Sequence, residues 1–498
     1  MNKFNLKKGL DIPIAGIPKQ VVEESKIPNS VAILGPDYKG LKPKMFVNVG
    51  DKVERGTPLF CHKDNPDAFH ILSSIKIYKQ EFDESIRLVQ KSIEINSDNP
   101  GYHVTLGCAY SARKDYEKSI KPFKNALKLN NKVAQVHFYL GESYRKLKKY
   151  NEAIASFYKT IELSPDHVAS HMILGIVYQE KKQFDLSVKS FQTCINIMPD
   201  YAEAHINLGL CYLLVGDYDN GWREYEWRRK LFETESEKLS KEWTGQSLED
   251  KTLLILDENS DPNLIHFIRF ARELKKDNCK LILQCNDQSY ELFNKQAWID
   301  NVVSPDVFPE HDYYIYIGSL MNVLKINPNN TQQYFPYIDV DGKNRNLIKS
   351  NKFNIGLVLE ANRGDSSHDD ETIDIKDIEN LFTDQHNVIS LDKYTENNNL
   401  PIIYNSKYNY SNLDELSQII PELDLVVTVD HVVAHLAGAL NIQTFLMVPC
   451  VPNWRWEITH RHTTPWYDSV RIFRQDIPDN WTSVIGKIKQ RLNEKYND

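Results

Sequence analysis

Large apolar and small residues recur along the first half of the chain at a fixed interval of 34 positions. Within residues 136–147 the large apolar side chains fall three or four positions apart, which is the spacing of an amphipathic helix. A second helical stretch follows in each interval, with a small residue four positions before an aromatic one. The pattern predicts paired helices across residues 100–228. The recurring residues are Leu106-Gly107, Leu140-Gly141, Leu174-Gly175 and Leu208-Gly209; Tyr110, Tyr144, Tyr178 and Tyr212; and Phe123, Phe157, Phe191 and Tyr225.

This pattern resembles the tetratricopeptide repeat, a helix-turn-helix unit of the same length. Gly141 and its equivalents lack a Cβ, so the paired helix can approach closely and the ring of Phe157 can fill the gap. One pair cannot bury its apolar face alone, and stacked neighbours complete the core. Residues 72–96 resemble a weaker first unit, in which Lys76 replaces the tyrosine. The resemblance implies an all-α solenoid over residues 67–230, which binds a protein or peptide on a concave face lined by the first helix of each pair.

Residues 1–66 have a different pattern, in which apolar residues alternate around glycine-containing turns. Such alternation predicts short strands joined by tight hairpins, and therefore a small β-rich segment. Residues 8–16, 35–43 and 47–60 resemble the N-terminal barrel-sandwich hybrid of the NqrA family, which belongs to the sodium-pumping NADH:quinone reductase. We interpret residues 1–66 as a fused fragment of that barrel. An electron-transport role is a remote alternative, because the sequence shows no flavin or quinone site there.

After Lys230 the interval of 34 is lost, and short apolar runs alternate with helical stretches. Residues 252–256 form a continuous apolar run, typical of a strand that is buried on both faces. The alternation predicts an α/β region with parallel sheets. A polar insert at residues 327–352 divides it, so we predict two Rossmann-like lobes, residues 243–345 and 346–498, that face a cleft. The other predicted strands are residues 281–283, 355–359, 388–391, 425–429 and 445–448.

Several short motifs in this half resemble the heptosyltransferase-like glycosyltransferase domain of the GT-B fold, which often follows tetratricopeptide repeats in bacterial proteins. The resemblance spans roughly residues 222–482 and implies a nucleotide sugar as the substrate, with no cofactor and no metal ion. The motifs are residues 221–228, 243–245, 267–270, 430–439, 454–456, 465–467 and 473–475.

The second lobe carries the residues expected to hold the nucleotide sugar. Because Asp430 ends a predicted strand and a helical pattern follows, a diphosphate would lie at the N-terminus of that helix, beyond the carboxyl end of the strand. The alternatives are a helix cap at Asp430 or His431, a buried hydrogen-bonded histidine at His435, and stacking of Arg455 on an indole. The predicted nucleotide-sugar site comprises Asn362, Asp430, His431, His435 and Arg455.

Other positions depart from the pattern of this family. Where the family has a Gly-x-Gly-Asp loop, this chain has residues 260–263, and Asn263 replaces the carboxylate. Glu371 stands where a cation is expected, and a glutamate repels a phosphate. We therefore predict a repeat scaffold that binds a nucleotide sugar with weak or lost transfer. The alternative is an active, metal-independent transferase that acts on a glycan or protein acceptor, with Glu258 or Asp261 as a substitute base.

Composition narrows the remaining classes. The net charge is −8, so no basic excess indicates nucleic-acid binding. The seven cysteines include no CxxC pair, which argues against a disulfide framework or a zinc site and fits a reducing compartment. The sequence shows no apolar stretch of transmembrane length and no signal peptide, so we predict a cytoplasmic protein without a membrane span.

Overall fold

The computed structural model describes residues 43–45, 60–62, 65–231, 239–258, 260–328, 335–340, 348, 351–360, 373–391, 412–458 and 462–496. The chain divides into two compact units, residues 1–170 and 171–498. The helices are α1 (Pro66–Tyr78), α2 (Phe82–Ile95), α3 (Pro100–Ala112), α4 (Tyr116–Leu129), α5 (Ala134–Lys146), α6 (Tyr150–Leu163), α7 (Val168–Glu180), α8 (Phe184–Ile197), α9 (Ala202–Leu214), α10 (Tyr218–Tyr225), α11 (Asp261–Ala271), α12 (Asp287–Asn294), α13 (Leu320–Val323), α14 (Ile375–Ile378), α15 (Leu413–Ile419), α16 (Val432–Ala439) and α17 (Thr482–Tyr496).

The strands fall in two regions. Two short strands, β1 (Pro43–Met45) and β2 (Phe60–His62), pair antiparallel near the N-terminus. The remaining strands are β3 (Lys241–Glu242), β4 (Thr252–Leu256), β5 (Lys280–Gln284), β6 (Asn301–Val303), β7 (Tyr313–Tyr316), β8 (Phe353–Val358), β9 (His386–Ser390), β10 (Leu425–Thr428), β11 (Thr444–Val448), β12 (Thr463–Thr464) and β13 (Tyr467–Arg474).

Helices α1–α10 form five consecutive pairs, and the turn inside each pair has the same backbone geometry. Each turn places one residue in the left-handed region, with φ between 57° and 86°, and these residues are 34 positions apart. The following amide closes the turn on a carbonyl five residues back, as Asp115 does on Tyr110. The predicted helix pairs are therefore confirmed. The weaker first unit keeps this geometry although its helix begins at Pro66, earlier than predicted. The left-handed residues are Gln80, Lys114, Lys148, Lys182 and Gly216.

The repeated glycines permit the close packing inside each pair. A Cβ added at Gly107 would lie 2.4 Å from the ring of Phe123, and one at Gly141 would lie 2.7 Å from the ring of Phe157. Both rings are fully buried, so neither has free space to move into. The last glycine of the series, Gly209 in α9, is more constrained. Its Cβ would lie 2.8 Å from the backbone nitrogen of Tyr225.

Replacing Gly209 by alanine is expected to lower the free energy of unfolding of the second unit by about 1–3 kcal/mol, since the added methyl group meets backbone atoms. Gly486 in α17 is the matched control, because a Cβ there has nothing within 4 Å. Gly486→Ala is expected to raise stability by roughly 0.5–1 kcal/mol, as for an unhindered helix interior. Urea unfolding followed by tryptophan fluorescence measures both, because all eight tryptophans lie between residues 222 and 481. A stabilising Gly209→Ala would contradict the packing.

The α/β region contains two sheets. The first has the strand order β3-β7-β4-β5-β6 and is parallel throughout. The second has the order β12-β13-β11-β10-β8-β9 and is parallel except for the β12–β13 pair. The predicted α/β region is therefore confirmed, whereas β3, β6, β7, β12 and β13 were not predicted. In each sheet successive strands are first added on one side of the first long strand and then on its other side. The order of the strands therefore reverses between β4 and β7 in the first sheet and between β8 and β10 in the second. Such switch points open a crevice at the carboxyl ends of the strands.

The last repeat helix joins the core of the α/β region, within the second unit. Trp222 on α10 is buried and donates its indole N–H to the carbonyl of Ile326, at 2.8 Å. Its ring packs edge-on against Phe267 of α11 and Trp454 of the second sheet's loops. The helix is therefore part of the hydrophobic core that also covers both sheets. None of the helices among the described residues is long and apolar enough to cross a membrane.

Candidate functional site

The loop after β10 brings Asp430 and His431 to the switch point of the second sheet. The strand ends at Thr428, earlier than predicted, and three residues precede α16. His431 caps this helix, because its Nδ1 accepts a hydrogen bond from the amide of Val433 at 3.2 Å. The cap is therefore His431 rather than Asp430, and it uses one of the amides available to an anion. Asn362 and Glu371, which were predicted to lie near this loop, are outside the described residues.

His435 lies one turn into α16 and is fully buried. Its Nδ1 is 2.9 Å from the hydroxyl of Tyr467, and its ring stacks on Trp456 with centroids 5.0 Å apart. Its Nε2 is 3.8 Å from a carboxylate oxygen of Asp430. Burial, reinforced by the charge of Arg455, lowers the pKa of His435 well below its usual value. The imidazole is therefore neutral and held by protein groups, as in the alternative of a buried histidine.

Arg455 lies in the turn after β11 and is also buried. Its guanidinium donates to the side-chain oxygen of Asn453 at 2.8 Å and to that of Asn263 on α11, in the first lobe. It also covers the ring of Trp454, 4.8 Å from the ring centroid. Burial lowers the pKa of Arg455, and this effect is opposed by Tyr225 and Asp430. The cation therefore links the two lobes and stacks on an indole.

A cluster of buried polar and aromatic side chains surrounds this link, and the sequence did not predict it. His266 on α11 accepts from Arg269 at Nδ1, at 3.1 Å, and the hydroxyl of Tyr467 lies at the same distance. Arg269 also donates to the carbonyl of Trp466 at 2.6 Å. Burial is the main reason that the pKa of His266 lies well below its usual value, and the positive charge of Arg269 lowers this pKa further. The signals in the sequence were the three-residue spacing of His266 and Arg269 on one helix face and the motifs at residues 267–270 and 465–467, which did not show that these side chains meet.

Two carboxylates proposed as substitute bases are engaged by other side chains. Both oxygens of Glu258 accept from Arg228, at 2.6 and 3.0 Å. Asp261 accepts from Asn286 at 3.0 Å and from the hydroxyl of Ser289 at 2.7 Å. The guanidinium of Arg228 also reaches the hydroxyl of Ser319, after β7. Arg228 thus fills part of the crevice at the switch point of the first sheet.

Asp257 is the carboxylate that sequence reasoning missed. It directly follows β4 at the same switch point, and neither of its oxygens is hydrogen-bonded to a side chain among the described residues. Burial, together with the negative charge of Asp261, raises the pKa of Asp257 to about 7. A carboxyl group with a pKa near neutrality is suited to general acid–base work. The signal available in the sequence was an acidic residue at the end of an apolar strand.

The first unit contains a groove among α2, α3 and α4. It has a volume of about 700 Å³. Ile93, Leu106 and Tyr110 give it an apolar surface, and Glu117 and Lys121 provide charges beside that surface. Such a combination suits an extended peptide with an apolar side chain. The lining residues come from first helices and from second helices of the pairs. The concave face lined by the first helix of each pair, which the sequence predicts, stays a prediction.

Comparisons with known proteins support two of the three predicted parts. The family model of the NqrA N-terminal barrel-sandwich hybrid domain matches residues 4–76. Tetratricopeptide-repeat models match residues 100–133, 134–167 and 168–201. Both resemblances are therefore confirmed, and the barrel-sandwich match extends past residue 66 into α1.

Curated relatives include subunits A of the Na(+)-translocating NADH-quinone reductase, which match over 63 residues. The NqrA protein of the Na(+)-translocating NADH-quinone reductase from Tolumonas auensis is 56% identical over 63 residues, which cover 13% of this chain and 14% of that protein. The corresponding Vibrio atlanticus protein is 51% identical over 63 residues, which again cover 13% of this chain and 14% of that protein. The chain thus spans about 14% of the length of these relatives.

Solved structures are similar to about a third of the chain. A MamA structure is 22% identical and covers 32% of this chain and 93% of its own, with a TM-score of 0.31. YrrB, described as a TPR protein with an unusual peptide-binding site, is 18% identical, with a TM-score of 0.29. The match covers 34% of this chain and 85% of the YrrB chain.

Proposed function

We propose that the chain is a repeat scaffold that binds a protein or peptide, and that its α/β region is a glycosyltransferase-like domain of the GT-B type with weak or lost transfer activity. One observation carries the second half of this proposal. Arg455, one of the residues predicted to bind the nucleotide sugar, is buried and donates to Asn263, the residue at the position of the family's carboxylate. Arg455 and Asn263, which both stand at positions expected to serve sugar transfer, are therefore hydrogen-bonded to each other.

Sugar transfer needs a group that takes a proton from the acceptor hydroxyl and a cation that stabilises the leaving diphosphate. The amide of Asn263 has no useful basicity, and Glu258 is paired with Arg228. A general base typically contributes about 10²–10⁴-fold to the rate, so its loss alone would leave little activity. We therefore expect nucleotide binding without efficient transfer.

Nucleotide binding is proposed at the N-terminus of α16, next to Asp430. The position at a switch point and at the positive end of a helix dipole supports it. The amides of Val433 and Ala434 are already bonded to His431, which leaves fewer donors for a diphosphate. We therefore expect weak binding, in which Asp430 accepts from a ribose or sugar hydroxyl.

Calorimetric titration with UDP, ADP and GDP is the test, and a dissociation constant of about 0.1–1 mM is expected for at least one of them. Replacing Asp430 by alanine should weaken that binding about tenfold or more, because a hydrogen bond to a charged group is lost. Asp468→Ala, which removes an exposed carboxylate from β13, is the control and should change nothing. An absence of heat from all three nucleotides at millimolar concentration would count against the site, and unchanged binding in Asp430→Ala would misplace it.

An active transferase is the second candidate, and Asp257 is the observation that favours it. Its carboxyl group lies at a strand end in the first lobe, with a pKa of about 7 and without a side-chain hydrogen-bond partner among the described residues. Such a group can take a proton from a hydroxyl at neutral pH. The electron-transport role of the NADH-quinone reductase is not proposed for the whole chain, because the similarity covers 13% of it.

A further inference from the structure

A second cavity lies in the second unit, at the carboxyl end of β13 and against one face of α17, and Lys182 of the turn between α7 and α8 also lines it. Its volume is about 520 Å³, which is in the range of small-molecule sites. Asp430, His431, His435 and Arg455 do not line it. The cavity is therefore distinct from the predicted nucleotide-sugar site.

The charge of the lining is positive, although the net charge of the whole chain is −8. Five cationic side chains and two carboxylates line the cavity. Two of the cations are paired, Lys487 with Asp476 at 2.9 Å and Arg491 with Glu494 at 3.4 Å. The other three cations, Lys182, Arg471 and Arg474, form no ion pair among the described residues. An anion is the ligand that this imbalance favours.

Buried hydrogen-bond donors without acceptors lie on the same lining. Arg474 donates through Nη2 to the carbonyls of Trp456 and Glu457, whereas its Nη1 has no acceptor among the described residues. Gln475 is 3% exposed, and its Nε2 also has no acceptor in the described part of the chain. The same holds for Nε of Arg471. Leaving such donors unsatisfied is costly, so a ligand with several acceptor oxygens would stabilise the cavity.

We propose that this cavity binds a small-molecule phosphate ester whose remaining body is apolar. A phosphate group supplies both the negative charge and the acceptor oxygens that Arg471, Arg474 and Gln475 lack, and guanidinium groups bind it through paired N–H donors. Ile458 and Phe473 provide an apolar wall for the rest of the molecule. The proposal does not rest on sugar transfer or on the site at Asp430.

Calorimetric titration of the full chain with 1-naphthyl phosphate tests the proposal, with 1-naphthol and inorganic phosphate as separate arms. We expect saturable binding of 1-naphthyl phosphate, about tenfold or more weaker binding of inorganic phosphate, and no binding of 1-naphthol. No heat from 1-naphthyl phosphate at millimolar concentration would overturn the proposal. If inorganic phosphate binds as tightly as 1-naphthyl phosphate, the proposal that the ligand has an apolar body is wrong.

Single substitutions locate the binding. Arg471→Gln and Lys182→Gln should each weaken 1-naphthyl phosphate binding about fivefold or more, since each removes a charge that faces the phosphate. Lys489→Gln is the control, because Lys489 is exposed on α17 and does not line the cavity. Its binding should stay within about twofold of the unsubstituted chain. Thermal unfolding of each variant checks that the fold is kept.

The outcomes separate this cavity from the nucleotide site. Asp430→Ala should leave 1-naphthyl phosphate binding unchanged, and failure of nucleotide binding would not affect it. Equal losses in Arg471→Gln and Lys489→Gln would show a general electrostatic effect and overturn the proposal. Loss in Asp430→Ala alone would place the phosphate at α16 and overturn it as well.

Discussion

Replacing Arg228 by methionine is expected to lower the free energy of unfolding of the second unit by about 3–5 kcal/mol, because it leaves the partner carboxylate buried without its counter-charge. Both side chains are almost fully buried, with 5% of Arg228 and 3% of Glu258 exposed. Burial alone would lower the pKa of Arg228, but the charge and hydrogen bonds of Glu258 raise it overall. The guanidinium therefore stays charged, and it also donates to the carbonyl of Tyr225 and the hydroxyl of Ser319.

The next residue offers a matched control. Arg229 pairs with Glu242 through two hydrogen bonds, at 2.6 and 3.0 Å, in the same segment of chain. This pair is partly exposed, with 29% and 31% of the two side chains accessible. Arg229→Met is therefore expected to cost no more than about 1 kcal/mol. Comparable losses in the two variants would contradict the burial of the Arg228 pair.

A double substitution separates the buried charge from lost packing. Arg228→Met combined with Glu258→Leu removes both charges of the buried pair and leaves only the partly exposed Glu226, the other carboxylate bonded to Arg228. It should therefore recover most of the stability lost in Arg228→Met alone. Urea unfolding followed by tryptophan fluorescence measures the free energy of unfolding of the unsubstituted chain, the Arg228→Met and Arg229→Met variants and the double variant. If the double variant is as unstable as the single one, the packing of the long arginine side chain explains the loss instead.

The repeat half of the fold was readable in the sequence because its determinants are local. Each glycine and the aromatic residue sixteen positions later, such as Gly107 and Phe123, lie in one helix pair and contact each other directly. The first unit was predicted as a weaker one, because its side-chain pattern is degraded, while the backbone hydrogen bonds of its turn at Gln80 are kept. A degraded side-chain pattern therefore understates how regular the backbone of a repeat is.

The candidate site was only partly predictable, because its partners are distant in sequence. The strand-end position of Asp430 follows from the local pattern of an apolar strand before a helix. The contact between Arg455 and Asn263 joins residues 192 positions apart. His266 and Tyr467 are separated by 201 positions. Spacing along the chain cannot show which buried polar groups from two lobes meet, so the role of Arg455 as a link between lobes required the structure.

Replacing Asp257 by asparagine is expected to stabilise the second unit at pH 8, by at most about 4 kcal/mol, because the folded state holds an ionised carboxylate in a site where burial raises its pKa from 3.8 to about 7. The folded-state pKa lies above the unfolded one, so the folded state binds the proton more tightly. Stability contributed by the protonated form is present at low pH and is lost as the pH rises from about 4 to about 7. Asparagine, which carries no charge at any of these pH values, avoids that loss.

The gain should therefore depend on pH. Urea unfolding of Asp257→Asn and of the unsubstituted chain should give similar free energies near pH 4 and the largest difference above pH 7. Asp287→Asn is the control, since Asp287 is exposed at the start of α12, and its change should stay within about 0.5 kcal/mol at both pH values. A gain in Asp257→Asn that is the same at pH 4 and pH 8 would contradict a raised pKa.

The same variant decides between the two candidate functions of the α/β region. A buried carboxylate at a strand end, without a side-chain partner, lowers stability, and such a cost is expected where a residue serves chemistry. If Asp257 is a general base, the unsubstituted chain should transfer sugar from a radiolabelled nucleotide sugar to an acceptor, and Asp257→Asn should lower the rate about 10²–10⁴-fold while unfolding later in urea at pH 8. If transfer has been lost, neither protein turns over and the stability gain at pH 8 remains. Robust turnover that Asp257→Asn leaves intact would exclude Asp257 as the base and would contradict the proposed loss of transfer.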